Sequence, residues 1–233
     1  MKKTLLYLTL FSIAMAFLES AVVVYLRIIY YPEGFDFPLA PIDASVAVTE
    51  ILRELATMIM LLTVSIIAGK NFRQRFAYFI FCFGVWDIFY YVFLYLLLGW
   101  PESLLTWDIL FLIPVTWTGP VIAPVIVSLT MIGMALTILI FEWKYKYFRI
   151  SPRVWVLWIA GAFIIFISLI YDYSVFALQE YSFRELWNLA GEGLFEITHN
   201  YIPVKFNWVL FGAGELLLIS GIVLLFKKSK VSK

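Results

Sequence analysis

Residues 76–98 read FAYFIFCFGVWDIFYYVFLYLLL, twenty-three positions with a single charge, Asp87, at their centre. A helix of about 20 apolar residues spans the ~30 Å hydrocarbon core of a bilayer. This stretch is long enough, and it is apolar on every face rather than on one stripe. Working outward along the chain, five further runs have the same character, at 4–28, 45–68, 119–142, 154–175 and 207–226. The expected fold is therefore all-α and polytopic, with one six-helix transmembrane domain covering residues 1–233. Composition agrees. The 233 residues are 64% hydrophobic and 14% charged, with a mean hydropathy of +0.95. Soluble domains carry roughly 25% charged residues, and a globule of this size has too little interior to hide so much apolar surface.

Orientation follows from the basic residues, which collect on the cytoplasmic side of membrane proteins. Thirteen of the 17 Lys and Arg residues lie in the N-terminus, the 69–75 loop, the 143–153 loop and the C-terminal tail. Only Arg27, Arg53, Arg184 and Lys205 lie toward the other side, which holds every acid but Glu142. Both termini are thus expected in the cytoplasm of a bacterial or archaeal cell, with the chain in the inner membrane. Met1-Lys2-Lys3 and Ala14-Met15-Ala16 resemble parts of a signal peptide, but the apolar run continues beyond Tyr25, so the segment reads as an uncleaved span.

The rest of the composition excludes several chemistries. One cysteine, Cys82, leaves no intramolecular disulfide and no cysteine-based metal site. One histidine, His199, leaves no bis-histidine haem within the chain. A net charge of +1 offers nothing to a nucleic acid. The cofactor is unknown on this reading, and no metal ligands are assigned.

Ionisable side chains within spans are costly and mark function by default. Glu19 lies in the first span and Arg27 near its end. The second opens Thr49-Glu50-Ile51-Leu52-Arg53-Glu54. At about 100° per residue, Glu50, Arg53 and Glu54 share one arc, which Thr57 continues. Asp87 is followed three and four residues on by Tyr90 and Tyr91, and Glu215 follows Gly212 and Gly214 in the last span. Five carboxylates (Glu19, Glu50, Glu54, Asp87, Glu215) and two arginines are expected to converge on an outward-opening cavity. Like charges at about 4 Å repel by roughly 4 kcal/mol at an effective dielectric of 20. Such a site holds extra protons, a cation or a positively polarised ligand. Glu19, Arg27, Glu50, Arg53 and Glu54 also read as ion pairs stapling the first two spans.

Segment 98–124, LGWPESLLTWDILFLIPVTWTGPVIAP, contains Pro101, Pro114, Pro120 and Pro124. A broken half-helix around 102–113 is expected here, packed between spans three and four, because irregular backbone survives at membrane depth only when buried or lining a cavity. It would place Glu102 and Asp108 at the cavity mouth, with Trp107 and Trp117 as walls or interfacial anchors. The external segment 176–206 mixes apolar and acidic positions and is expected to lie at the interface. Residues 29–43 hold three prolines and cannot form regular helix.

Residues 17–31 (FLESAVVVYLRIIYY), 50–57 (EILRELAT) and 84–124 together resemble an uncharacterised family of bacterial polytopic membrane proteins, most specifically in the WDIFYY and LGWPESLLTWDILFLIP blocks. The resemblance implies that Glu19, Arg27, Glu50, Arg53, Glu54, Asp87 and Asp108 belong to one feature. A weaker similarity is to the small membrane-embedded carotenoid lycopene cyclases, carried by Trp86-Asp87, Pro101-Glu102 and the run Leu110–Pro114; the double glutamate of that family is not present here. It implies acid-driven isoprenoid chemistry.

Three classes of function fit. The leading one is binding of, or action on, a lipid, isoprenoid or quinone-like ligand. Its acid-bearing candidates are Asp87, Glu54, Glu50, Glu19 and Asp108. Its ligand-contacting candidates are Arg27, Arg53, Tyr90, Tyr91, Trp86, Glu102, Trp107, Trp117 and Glu215. Whether the chain is an enzyme stays open. The alternatives are a subunit or assembly partner of a larger membrane complex, and a proton- or cation-coupled transporter. The transporter reading is weakened by the near absence of polar residues along the cytoplasmic half.

Overall fold

The computed structural model describes residues 2–145, 147–180 and 199–229. Its elements in chain order are α1 (Lys2–Tyr30), α2 (Ala44–Ala68), α3 (Phe72–Leu98), β1 (Trp107–Phe111), β2 (Trp117–Pro120), α4 (Ile122–Lys144), α5 (Pro152–Glu180) and α6 (Trp208–Ser229). All six helices are long and apolar enough to cross a bilayer, which makes the chain a multi-pass membrane protein. Side chains such as Ile67, Val209, Ile159 and Leu216, on three different helices, stand exposed, as a surface facing acyl chains requires.

α3 is the hub. It packs against α1, α2 and α4, while α5 and α6 form a close pair that leans on α4 through α6. Its start is capped by Asn71, whose side chain accepts from the Gln74 N–H at 3.1 Å. Its end is set by Gly99, which takes the left-handed conformation (φ 66°) and donates its N–H to the Tyr95 carbonyl. A Cβ at Gly84 would stand 2.7 Å from the Ser128 carbonyl oxygen, so glycine there lets α3 and α4 touch backbone to backbone. One turn further along, that closeness brings the Ser128 hydroxyl within reach of Asp87.

Three expectations are corrected. The half-helix predicted around 102–113 is instead an antiparallel hairpin, pairing Trp107 with Pro120, Asp108 with Gly119, Ile109 with Thr118 and Phe111 with Trp117, and irregular between Ile109 and Phe111. The fold is all-α in class, with this one two-stranded sheet set between α3 and α4. Helix is disfavoured immediately before Pro114, and the aromatic and branched residues on either side of 112–116 suit paired strands. Cross-strand bonds also satisfy the backbone without a long helix. The Val121 N–H donates to Thr106 and the Ile122 N–H to Leu104, extending the ladder. The second correction concerns 176–206. Its first residues continue α5 as far as Glu180, because Ala177 and Tyr173 pack with Tyr201 in one buried cluster. Residues 181–198 of that segment lie outside the described residues. The segment 29–43, expected to hold no regular helix, is corrected at its start: Ile29 and Tyr30 complete α1, which stops before the Tyr31-Pro32 step, and 31–43 is irregular.

Candidate functional site: a buried acid and arginine cavity

The ends of α1 and α3, the start of α2, the loop after α1 and the hairpin enclose a cavity of about 390 Å³. Carboxylates reach it from four separate elements: Glu19 from α1, Glu50 and Glu54 from α2, Asp87 from α3 and Asp108 from β1. Arg27 and Arg53 line it too, with Trp86, Tyr90 and Tyr91 of α3. Glu19, Glu50 and Glu54 are all less than a tenth exposed, and Asp108 is 2% exposed.

Two cationic knots organise the acids. In the first, Arg53 donates from Nε (3.0 Å) and Nη2 (2.8 Å) to Glu50 one turn earlier, and its Nη1 pairs with Glu19 of α1. Thr57, a further turn along α2, donates its hydroxyl to the other Glu19 oxygen at 3.0 Å. The arc of Glu50, Arg53, Glu54 and Thr57 is therefore one working face. In the second knot, Arg27, in the last turn of α1, donates to Asp108 at 3.2 Å. Its guanidinium lies 3.6 Å from the Trp100 ring centroid and 4.3 Å from that of Phe35. The Tyr91 hydroxyl donates to the second Asp108 oxygen at 3.2 Å. Burial pushes the Asp108 carboxyl up to about 6, outweighing the Arg27 guanidinium, the Tyr91 hydroxyl and the Ile109 N–H, which all favour its charged form.

The remaining two acids form no ion pair among the described residues, although Glu54 lies in the field of Arg53. Glu54 accepts the Leu112 N–H at 3.0 and 3.1 Å, where the hairpin backbone leaves β1. Asp87 accepts the Ser128 hydroxyl at 2.7 Å and is only partly buried. The Tyr90 phenol stands in the fields of Asp108, Arg27, Arg53 and Asp87. With all five carboxylates ionised against two guanidiniums the cavity has a formal charge of −3.

Several expected members stand elsewhere. Glu215 does not line the cavity; it accepts the Thr130 hydroxyl of α4 at 2.7 Å, deep between α4 and α6. Asp108 takes the place expected of it as fifth acid. Glu102 is exposed at the start of the loop before the hairpin. Trp107 packs on Phe206, and Trp117 on Phe111 and Phe166. The half-helix expected to place Glu102 and Asp108 at the cavity mouth is a hairpin, and strand alternation sends Trp107 to the face opposite Asp108. Conversely, Trp100, Phe35 and the Leu112 backbone are partners that no sequence signal singled out, although Trp100 follows a helix-ending glycine. His199 lines the cavity, with its Nε2 unpartnered among the described residues. Asp172 lies apart, accepting from the Tyr201 hydroxyl and the Val204 and Lys205 N–H groups.

The chain matches no protein-family model, no curated protein and no solved structure.

Proposed function

We propose that this membrane protein binds, in the cavity, a small amphipathic ligand of the lipid, isoprenoid or quinone-like kind that enters from the outer side of the membrane. The observation that carries this reading is the convergence of acids from four elements, two arginines and an aromatic wall on one cavity. Its volume falls in the range of about 300–1,000 Å³ common for small-molecule sites. Binding sites of this kind join a largely apolar wall to a few placed polar groups, here Val23, Leu26, Ile51 and Ile109 beside the acids. The outward direction rests on charge. The cavity lies at the end of the bundle where α1 stops and α2 begins, opposite the end that holds most of the Lys and Arg residues.

Native mass spectrometry of gently purified protein tests the reading. A bound amphiphile is expected on the wild-type chain. It should be lost from Asp87→Asn and Glu54→Gln, both of which keep the shape and a hydrogen-bond acceptor. Empty wild-type protein would count against a resident ligand, and a co-purifying subunit would favour the assembly reading. Loss of folding in both variants would favour the staple reading.

Orientation has its own test. The described residues hold one free cysteine, the buried Cys82, so Asp36→Cys gives a nearly clean label site. Membrane-impermeant maleimide should modify it in intact cells. Labelling only in inverted vesicles would reverse the topology.

A further inference from the structure

The cavity treats its own guanidinium in a specific way. Arg27 is held by a carboxylate on one side and aromatic faces around it, at Asp108, Trp100 and Phe35. The same combination recurs unfilled a few residues away. Asp87 and Glu54 line the cavity without an ion pair among the described residues; the Ser128 hydroxyl serves Asp87, and the Leu112 and Ile113 backbone N–H groups serve Glu54. Next to Asp87 in sequence, Trp86 stacks with Tyr90 at 6.4 Å, and both line the cavity. Carboxylates together with aromatic faces are the chemistry that recognises an organic cation. A metal ion needs several donors on one centre, whereas no three such groups among the described residues are placed to share one. A second observation points the same way. Trp86 is 5% exposed, and its Nε1–H finds no acceptor among the described residues. A buried donor at a cavity wall calls for an oxygen on the occupant.

We propose that the cavity selects an amphipathic ammonium: a protonated amine on an apolar chain, neutralised by Asp87 and Glu54 and lying against Trp86 and Tyr90, with an oxygen beside the nitrogen for the Trp86 N–H. This rests on the ligand-binding reading above and specifies the charged end of that ligand. One such cation takes the formal charge from −3 to −2, so the cavity retains protons, stays net negative, or both. Either state favours a cation over an anion.

The test uses protein in nanodiscs, with protein-free discs as reference, and isothermal titration of three probes at neutral pH. These are 2-(decylamino)ethanol, its neutral isostere 2-(decyloxy)ethanol, and ethanolamine. The amine is expected to bind at least about tenfold tighter than the ether, the range of one charge-assisted hydrogen bond. That preference should collapse toward unity in Asp87→Asn and Glu54→Gln, through loss of amine binding. Trp86→Phe should weaken the amino alcohol more than plain decylamine. If ethanolamine also binds, a free soluble amine suffices; if it does not, the ligand is drawn from the membrane; both support the ammonium. Equal binding of amine and ether overturns this proposal but leaves a ligand cavity. Absence of binding by any probe overturns both.

Discussion

Replacing Arg27 by methionine is expected to destabilise the folded protein by about 3–5 kcal/mol, because it leaves the Asp108 carboxylate buried without its cation. Arg27 is 7% exposed and Asp108 is 2% exposed, so water cannot substitute for the lost partner. Methionine is chosen because a thioether packs well between the Trp100 and Phe35 rings, which removes the charge and little else. The double variant Arg27→Met with Asp108→Asn should recover more than half of the loss, since two neutral groups that fit cost far less than one orphaned charge. The loss should also depend on pH. Asp108 titrates in the folded protein at about 6, above its ordinary 3.8. A raised carboxyl favours folding at low pH, and that contribution disappears as pH rises through about 6. Removing Arg27 takes away the largest influence lowering that value, so in Arg27→Met the window extends to higher pH. The deficit should therefore be small near pH 5 and large near pH 8. Thermal unfolding midpoints of the four proteins in one detergent, at both pH values, check this. Strict additivity of the two substitutions, or an equal deficit at both pH values, would contradict the pairing.

Replacing Arg53 by methionine should cost as much or more, because a single guanidinium serves two buried acids. It binds Glu50 on its own helix and Glu19 on α1, and α1 and α2 otherwise pack mainly against α3 rather than each other. The expected loss is about 3–5 kcal/mol, together with loss of ligand, since the two walls of the cavity are no longer tied. Arg53→Lys should fall between wild type and methionine. An ammonium keeps the charge, but a compact donor cannot reach Glu50 through two nitrogens and Glu19 through a third. Partial recovery on adding Glu19→Gln to Arg53→Met would show that uncompensated charge, and not lost packing, dominates. A lysine variant as stable as wild type would show that the fork geometry is irrelevant.

Neither arginine is free to engage an anionic ligand without giving up a buried partner. Of the two arginines expected to contact ligand, both are therefore better described as the frame that holds Glu19, Glu50 and Asp108 in place. The acids without an ion pair among the described residues, Glu54 and Asp87, are the ones with capacity to spare. This division also reconciles the two readings of the charged residues. On the proposed reading the knots at Arg53 and Arg27 hold the helices together, and the acids beside them carry the binding chemistry.

The six apolar helices among the described residues were legible in the chain because each depends on a local quantity, a long enough apolar run, whereas their ends were set by contacts such as the Asn71 cap of α3 and the packing of Tyr173 and Ala177 on Tyr201. The shared face of Glu50, Arg53, Glu54 and Thr57 was legible for the same reason, since the helical repeat alone puts them there. Which acids meet was a different matter. Asp108 and Glu215 carry the same charge and lie in equally apolar surroundings. Only the packing of the hairpin against α1 and α3 brings Asp108 to Arg27, and only the contact of α6 with α4 takes Glu215 to Thr130. The hairpin itself rests on pairing between residues about ten apart and on Glu54 closing its end from another helix, contacts that no local period encodes. Helix formation is settled by neighbours within a turn, whereas the partner of a buried charge is settled by whichever distant segment can satisfy it at least desolvation cost.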